Sequence, residues 1–268
     1  MSFDAFTEAE RTGWDNRAAV YSTTTARATT QAIPALLVAA GVAAGRRVID
    51  VCCGPGYAAG AAAAIGAEAE GVDAAPAMVA AAREAFPACR FEIADATALP
   101  ASESAVDAAV CSFGLFHLAD PAAALAEMHR VLRPDGRLAV SQWSSPAASA
   151  FFRVVFGGLG AHADMSVVPA GPPPFALSTP EALDAALTKA GFEEVTVSEV
   201  PITFEAPADA FQSYFRDFSV RGSMILERQT PETRVRIEAT WRNGFAPFVQ
   251  DGVIRVPMPA LVASGRKP

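Results

Sequence analysis

Three aspartates stand where a nucleoside could be held. Asp50 lies in RRVIDV, Asp73 closes AEGVD and Asp95 follows FEIA; each apolar run reads as a strand with the carboxylate near its carboxyl end. Gly54 and Gly56 then turn the first strand into an alanine-rich helix. A glycine turn between a parallel strand and a helix lets backbone approach a ligand closely and aims free helix N–H groups at it. The same turn can also serve only to pack a helix on a sheet. Asp73, about 20 residues beyond the glycines, can accept both hydroxyls of a ribose lying across the loop, or cap the helix that starts at Pro76. Asp95 can face an adenine edge while a neighbouring backbone N–H reads a ring nitrogen.

His117, shortly after the fourth predicted strand, is the candidate general base, since an imidazole accepts a proton near neutral pH. The same ring could instead orient a substrate or close the loop. His117, His129 and His162 form no metal-ligand pattern, and no metal site is expected. Cys52, Cys53, Cys89 and Cys111 show no C-x-x-C spacing, and three fall in or beside buried strands, so they read as reduced core thiols.

These residues need a parallel sheet to bring them together, and the chain has the strand–helix rhythm of one. Strands are expected at residues 69–72, 90–93, 106–112, 138–143 and 195–200, and a last one at 258–265. Helices are expected from Pro76 to about Phe86, from Asp120 until the Arg133-Pro134-Asp135-Gly136 stop, and over 179–190. Residues 1–45 form an N-terminal helical cover, with a helix over 30–40 despite Pro34. Two stretches break the rhythm: 144–176, a short aromatic helix and a proline-rich crossing, and 207–247, a helical insertion. Trp14, Tyr21, Trp143, Phe151, Phe152, Tyr214, Phe215 and Trp241 could line an apolar pocket or be plain core.

Composition narrows the partners. Of 268 residues, 51% are hydrophobic, and 21 basic against 29 acidic residues leave a net charge of -8. That balance argues against binding a phosphate backbone, so no nucleic-acid partner is expected. The acidic start carries no secretory segment, and no window is apolar enough for a membrane span; a cytoplasmic location is expected. Oligomeric state is not legible. Gly54, Gly56 and Ala59 also align as G-x-G-x-x-A, which keeps an NAD(P)-dependent oxidoreductase open, although no second nucleotide half is visible. A non-catalytic nucleoside-binding regulator is the other alternative.

Three segments, VIDVCCGPG, GVDAAPAMVAAAR and FEIADATALPASESAVDAAVCSFGLFHLADPAAALAEMHRVLRPDGRLAVSQW, together resemble class I S-adenosylmethionine-dependent methyltransferases of the ubiquinone and menaquinone C-methyltransferase group. The likeness covers residues 48–143, and the terminal ALVASGRKP resembles that family's last strand. It implies an α/β, Rossmann-like, doubly wound seven-stranded sheet with the last strand antiparallel, over residues 46–268, with helical substrate-cap insertions. It also implies S-adenosylmethionine as cofactor and a small, partly hydrophobic acceptor methylated on O, C or N. By the resemblance, the backbone at Cys52, Gly54 and Gly56 lines the methionine end and Asp50 orients the ammonium or the loop. Asp73 binds ribose, Asp95 and the Ala96 N–H hold adenine, and Cys111 and Ser112 border the sulfonium. Cys52 departs from the family's usual glycine, and Asp135 from its usual P-G-G turn.

Overall fold

The buried VIDV run forms β1 (Arg47–Val51), exposed only at its first residue. The computed structural model describes residues 3–268, so the first two residues of the N-terminal cover lie outside the described residues. The cover contributes α1 (Asp4–Asp15), α2 (Ala26–Thr29) and α3 (Ile33–Ala39). After β1 come α4 (Tyr57–Ala64), β2 (Glu68–Asp73), α5 (Pro76–Ala85), β3 (Arg90–Ile93), β4 (Val106–Ser112), α6 (Pro121–Val131) and β5 (Leu132–Trp143). Then follow α7 (Ala150–His162), α8 (Pro180–Lys189), β6 (Glu193–Val200), β7 (Thr203–Pro207), α9 (Phe211–Phe218), α10 (Val220–Glu227) and α11 (Pro231–Phe245). β8 (Val249–Gln250), β9 (Val253–Pro257) and β10 (Ala260–Arg266) complete the chain.

Seven strands form one sheet in the order β3-β2-β1-β4-β5-β10-β6. β1 pairs in parallel with β2 on one side and β4 on the other, whereas β10 runs antiparallel between β5 and β6. Alternation along the strands sends Ile49, Val51, Leu138 and Val140 to one face, beneath Leu125 and Met128 of α6 and Leu183 and Leu187 of α8. Val48, Val110 and Ala139 point to the other, beneath Leu36 and Leu37 of α3 and Ala58 and Ala62 of α4. Both faces are covered, as a parallel sheet requires.

Four sequence expectations need correction. The expected helix over 30–40 is broken: a 3-10 turn at Thr30–Ala32 separates α2 from α3, and Pro34 falls in the first turn of α3, where its missing N–H costs nothing. β5 starts at Leu132, not at 138. The Arg133–Gly136 turn is taken into the ladder as an irregularity, with the pairing shifting between Val106 and Ala108 and Asp135 at φ 64. The last strand runs Ala260–Arg266, two residues beyond the expected start and one beyond the expected end. Finally, 207–247 is helical as expected, in α9 to α11, but it is framed by a three-stranded antiparallel sheet, β7-β9-β8, on flanking residues for which no strand was expected.

That small sheet and α7, α9, α10 and α11 enclose an aromatic core of their own, with Phe151, Phe204, Phe211, Phe218, Trp241 and Phe245 buried together. Phe151 packs on Phe204 at 4.4 Å and Phe211 on Phe245 at 4.7 Å between ring centroids. Trp241 is 1% exposed and donates from Nε1 to the Val155 carbonyl at 3.0 Å, fastening α11 to α7. Truncating so large a buried ring leaves a cavity that the neighbours fill poorly. Trp241→Ala is therefore expected to cost about 3–5 kcal/mol in urea unfolding, and Trp241→Phe, which mainly forfeits the hydrogen bond, about 1 kcal/mol. Equal small losses from both would show that the two helices do not share a core.

Candidate functional site

A cavity of about 600 Å³ opens at the carboxyl ends of β1 to β5. Of the residues chosen from sequence, Cys52, Gly54, Asp73, Asp95, Ala96, Ser112 and His117 line it. Asp50, Gly56 and Cys111 do not; they lie behind the lining and shape it.

The polar end is built by the β1 and β2 loops. Gly54 and Gly56 adopt φ of 51 and 82, left-handed values that favour glycine. Gly56 caps α4, and an added Cβ would meet Phe91 at 2.7 Å. Asp73 accepts from the Gly54 N–H at 2.8 Å and the Ala75 N–H at 2.9 Å, so it ties the two loops together while bordering the cavity. The expected cap role is thus present alongside a position suited to a ribose. Asp95 is exposed and borders the cavity; its Oδ1 accepts from the Thr97 N–H and hydroxyl. Among the described residues the buried Ala96 N–H donates to no protein group. A carboxylate beside an unengaged N–H, with apolar Ile93 between strand end and cavity, suits a heterocycle that offers both a donor and an acceptor. These residues fit the nucleoside end of S-adenosylmethionine.

Cys52 explains its departure from glycine. It sits at φ 59, and its side chain lies against Gly114, where an added Cβ would stand 2.6 Å from the Cys52 Cβ and 2.7 Å from the Cys111 Sγ. Room denied at one position is returned by glycine at the other. The hydrogen bond with Cys111, reinforced by burial, pushes the Cys52 thiol well above its ordinary range, so it is a packing group and not a thiolate nucleophile. All four cysteines are free, and no group of metal-ligating side chains is found among the described residues.

Beyond β4 the lining turns apolar and aromatic. Phe113 stacks on Trp143 at 4.0 Å, and Phe151, Phe152 and Phe215 continue the wall. Of the aromatics considered from sequence, Trp14, Tyr21, Trp143, Phe151, Phe152 and Phe215 border the cavity, whereas Tyr214 and Trp241 do not. Tyr214 instead donates to the Thr24 carbonyl at 3.1 Å and joins the cover to the cap.

Two polar residues escaped the sequence reading. Glu10 of α1, only 4% exposed, places Oε2 2.8 Å from His117 Nδ1. The one signal was a glutamate on the helix stripe that also carries Phe6 and Trp14, and such a residue reads equally well as surface. Gln142, at the end of β5, is 1% exposed; its Oε1 accepts from the Trp143 N–H, which leaves Nε2 without a partner beside the cavity.

Asp50 sits beneath the loop. Its Oδ2 accepts from the Ala59 N–H at 3.0 Å, and Oδ1 has no partner. Burial, with a smaller contribution from the Asp73 charge, raises it from 3.8 to about 7. The fold therefore favours the protonated form. This contribution is full below about pH 4 and is lost as pH rises through 7. Asp50→Asn, which keeps an oxygen for Ala59, should remove this loss. The stability gap between variant and wild type should widen by about 2–4 kcal/mol from pH 4.5 to 7.5. A gap constant with pH in parallel urea titrations would disprove the buried neutral carboxyl.

Comparison with known proteins agrees with this geometry. A family described as "Methyltransferase domain" matches residues 49–140. Demethylmenaquinone methyltransferase of Thermus thermophilus is 41% identical over 143 residues, 47% of this chain and 64% of its own. The enzyme of that name from Renibacterium salmoninarum is 37% identical over 42% of this chain and 48% of its own. The chain thus spans about half to two thirds of the length of these relatives. Among solved structures, a Bacillus halodurans protein described as a candidate methyltransferase superposes with a TM-score of 0.60 over 88% of this chain and 98% of its own; at 21% identity this likeness concerns the fold. The strand-end geometry agrees with the family match: residues 49–140 carry a methyltransferase domain, and there the chain is similar to class I S-adenosylmethionine-dependent methyltransferases of the ubiquinone/menaquinone type.

Proposed function

We propose that the chain transfers a methyl group from S-adenosylmethionine to an O, C or N atom of a small, partly hydrophobic metabolite by in-line displacement. The observation that carries this reading is one continuous cavity, running from the strand-end aspartates past His117 into an aromatic chamber. When bound, the donor supplies a methyl group already activated by the sulfonium, so the protein has to position the acceptor and exclude water. Asp73 would hold the ribose, and Asp95 with the Ala96 N–H the adenine. The backbone at Cys52 and Gly54 would line the methionine end, with Asp50 and Gly56 fixing the loop from behind. Ser112 would border the sulfonium directly, and Cys111 would support it from the core. His117 is the candidate base.

The aromatic chamber favours this reading over the alternatives. An oxidoreductase would need room for a second nucleotide, and the cavity instead leads into rings. A nucleoside-binding regulator would need no acceptor chamber. We assign residues 1–45 as a cover and 46–268 as the methyltransferase domain, with the insertions at 144–176 and 207–247 as acceptor pocket and lid. The family match ends at residue 140, before most of that chamber, so the demethylmenaquinone of the relatives' names is one example of a fitting acceptor and not an assignment. A cytoplasmic site of action is part of the proposal, in keeping with free cysteines and with the absence, among the described residues, of a helix long and apolar enough to cross a membrane.

Asp73→Ala should weaken binding of S-adenosylhomocysteine about ten- to a hundredfold in calorimetry, the loss of roughly 1.5–3 kcal/mol for a charged hydrogen-bonding group. A folded variant, judged by circular dichroism, that binds as tightly as wild type would remove Asp73 from the site.

A further inference from the structure

His117 does not stand alone at the cavity wall. Its Nδ1 meets Glu10 Oε2 at 2.8 Å, and the carboxylate is almost wholly buried in the N-terminal cover, far from His117 in sequence. The ring is wedged between Phe116, 3.9 Å away, and the edge of Trp14 at 5.0 Å. A carboxylate can only accept, so a neutral imidazole beside it carries its proton on Nδ1 and presents the Nε2 lone pair. Among the described residues Nε2 has no hydrogen-bond partner, while His117 borders the cavity. The contact is fixed from outside. Asp15 at the end of α1 accepts from the Ala77 N–H of α5 at 2.7 Å, and Thr25 and Arg17 bond the Phe218 and Arg216 carbonyls of the cap.

The other two histidines are used differently. His162 bonds Thr240, and His129 is half-buried against Phe192 and Gly191. Only His117 combines a buried carboxylate with a cavity. Burying a carboxylate away from water is costly unless it is paired. An amine acceptor already owns its lone pair and does not require this arrangement. A hydroxyl acceptor does, because its oxygen is a weak nucleophile until its proton leaves. Gln142 adds a second sign, a buried amide donor with no protein acceptor, suited to an oxygen-bearing ligand.

We infer that Glu10 and His117 form a proton-accepting dyad, Glu10 as positioning residue and His117 as base, and that the acceptor presents an O–H group on a planar, apolar body. The inference rests on the methyl-transfer reading and narrows its O, C or N to an acceptor activated by loss of an O–H proton, not an amine. The O–H bond breaks, its proton goes to His117 Nε2 and its electron pair stays on the acceptor, which would take the methyl as the methyl–sulfur bond breaks and S-adenosylhomocysteine leaves as the neutral thioether. The Nδ1 proton stays in place, held by Glu10, which balances the charge of the imidazolium. The Nε2 proton passes to solvent once product has left.

Two measurements on the full chain test this without the natural acceptor. The first is the ¹⁵N spectrum of His117 at alkaline pH, assigned with His117→Asn. It should show a protonated Nδ1 and an unprotonated Nε2, an arrangement lost in Glu10→Ala. The second uses 4-nitrophenol, whose ionised form absorbs in the visible, with the S-adenosylhomocysteine-loaded protein about one pH unit below the probe's own midpoint. Wild type should raise the ionised fraction of bound probe about fivefold or more over free probe. His117→Asn should abolish the rise. Glu10→Gln, which keeps the shape and an accepting oxygen, should reduce it while leaving the fold intact, a pattern that a merely structural Glu10 would not give. An Nε2-protonated ring in wild type, or equal probe ionisation in wild type and His117→Asn, overturns the dyad. Failure of the wild type to bind S-adenosylhomocysteine would instead overturn the methyltransferase reading, since the tautomer does not depend on it.

Discussion

The site exists because β1 has a parallel neighbour on each side. The crossover after β1 carries the chain to β2 and β3, and the one after β3 returns it across β1 to β4 and β5. Helices leave to opposite faces at that reversal, and a crevice stays open between the carboxyl ends of β1 and β4. Everything polar in the site hangs on the edge of that crevice. Asp73 bridges the β1 and β2 loops by two backbone N–H groups, and Phe113, just beyond β4, donates its N–H to Ser141 of β5. The loops are held in position by the strands and by each other.

A crevice alone would be a shallow groove. Depth comes from the second layer, in which α7 and the β7-β9-β8 unit carry α9 to α11 over the sheet's end on an aromatic core. Its rings have two roles. Phe204, Trp241 and Phe245 lie within the core and do not border the cavity, whereas Phe151, Phe152 and Phe215 have one side in that core and another on the cavity. Rings shared in this way make the chamber rigid and apolar without exposing a large patch to water. The N-terminal cover closes the remaining side, tied to the cap by hydrogen bonds of Arg17, Thr25 and Tyr214 to backbone carbonyls.

Carboxyl groups are distributed through this enclosure by environment. Asp50 lies beneath the loop with one oxygen unpartnered, and burial drives it toward the neutral form. Burial also raises Asp73, but two backbone N–H donors and the nearby His117 oppose the shift, so it can still serve as an acceptor at the cavity edge. Glu10 is buried with a histidine partner. Similar groups thus hold a loop, border the cavity and back a ring, according to what surrounds each.

The strand–helix rhythm was legible because burial on a sheet leaves a local imprint. VIDV and VDAAVCS carry the apolar runs of covered strands, and β3 and β4 begin and end where the residues placed them. Asp73 and Asp95 could be read for the same reason, since a carboxylate just past an apolar run falls at the sheet's end. Three features left no local imprint. β7, β8 and β9 are five residues or shorter and half exposed, too short for their alternation to stand out from a loop. Whether Asp50 borders the cavity or lies beneath it turned on which way one side chain points from a strand end. The pairing of Glu10 with His117 depends on α1 packing against α5 and α10 beside the turn that follows β4, a contact set between elements distant in the chain. Local pattern records how each element meets solvent and core; only the assembled sheet, cover and cap decide which of them meet each other.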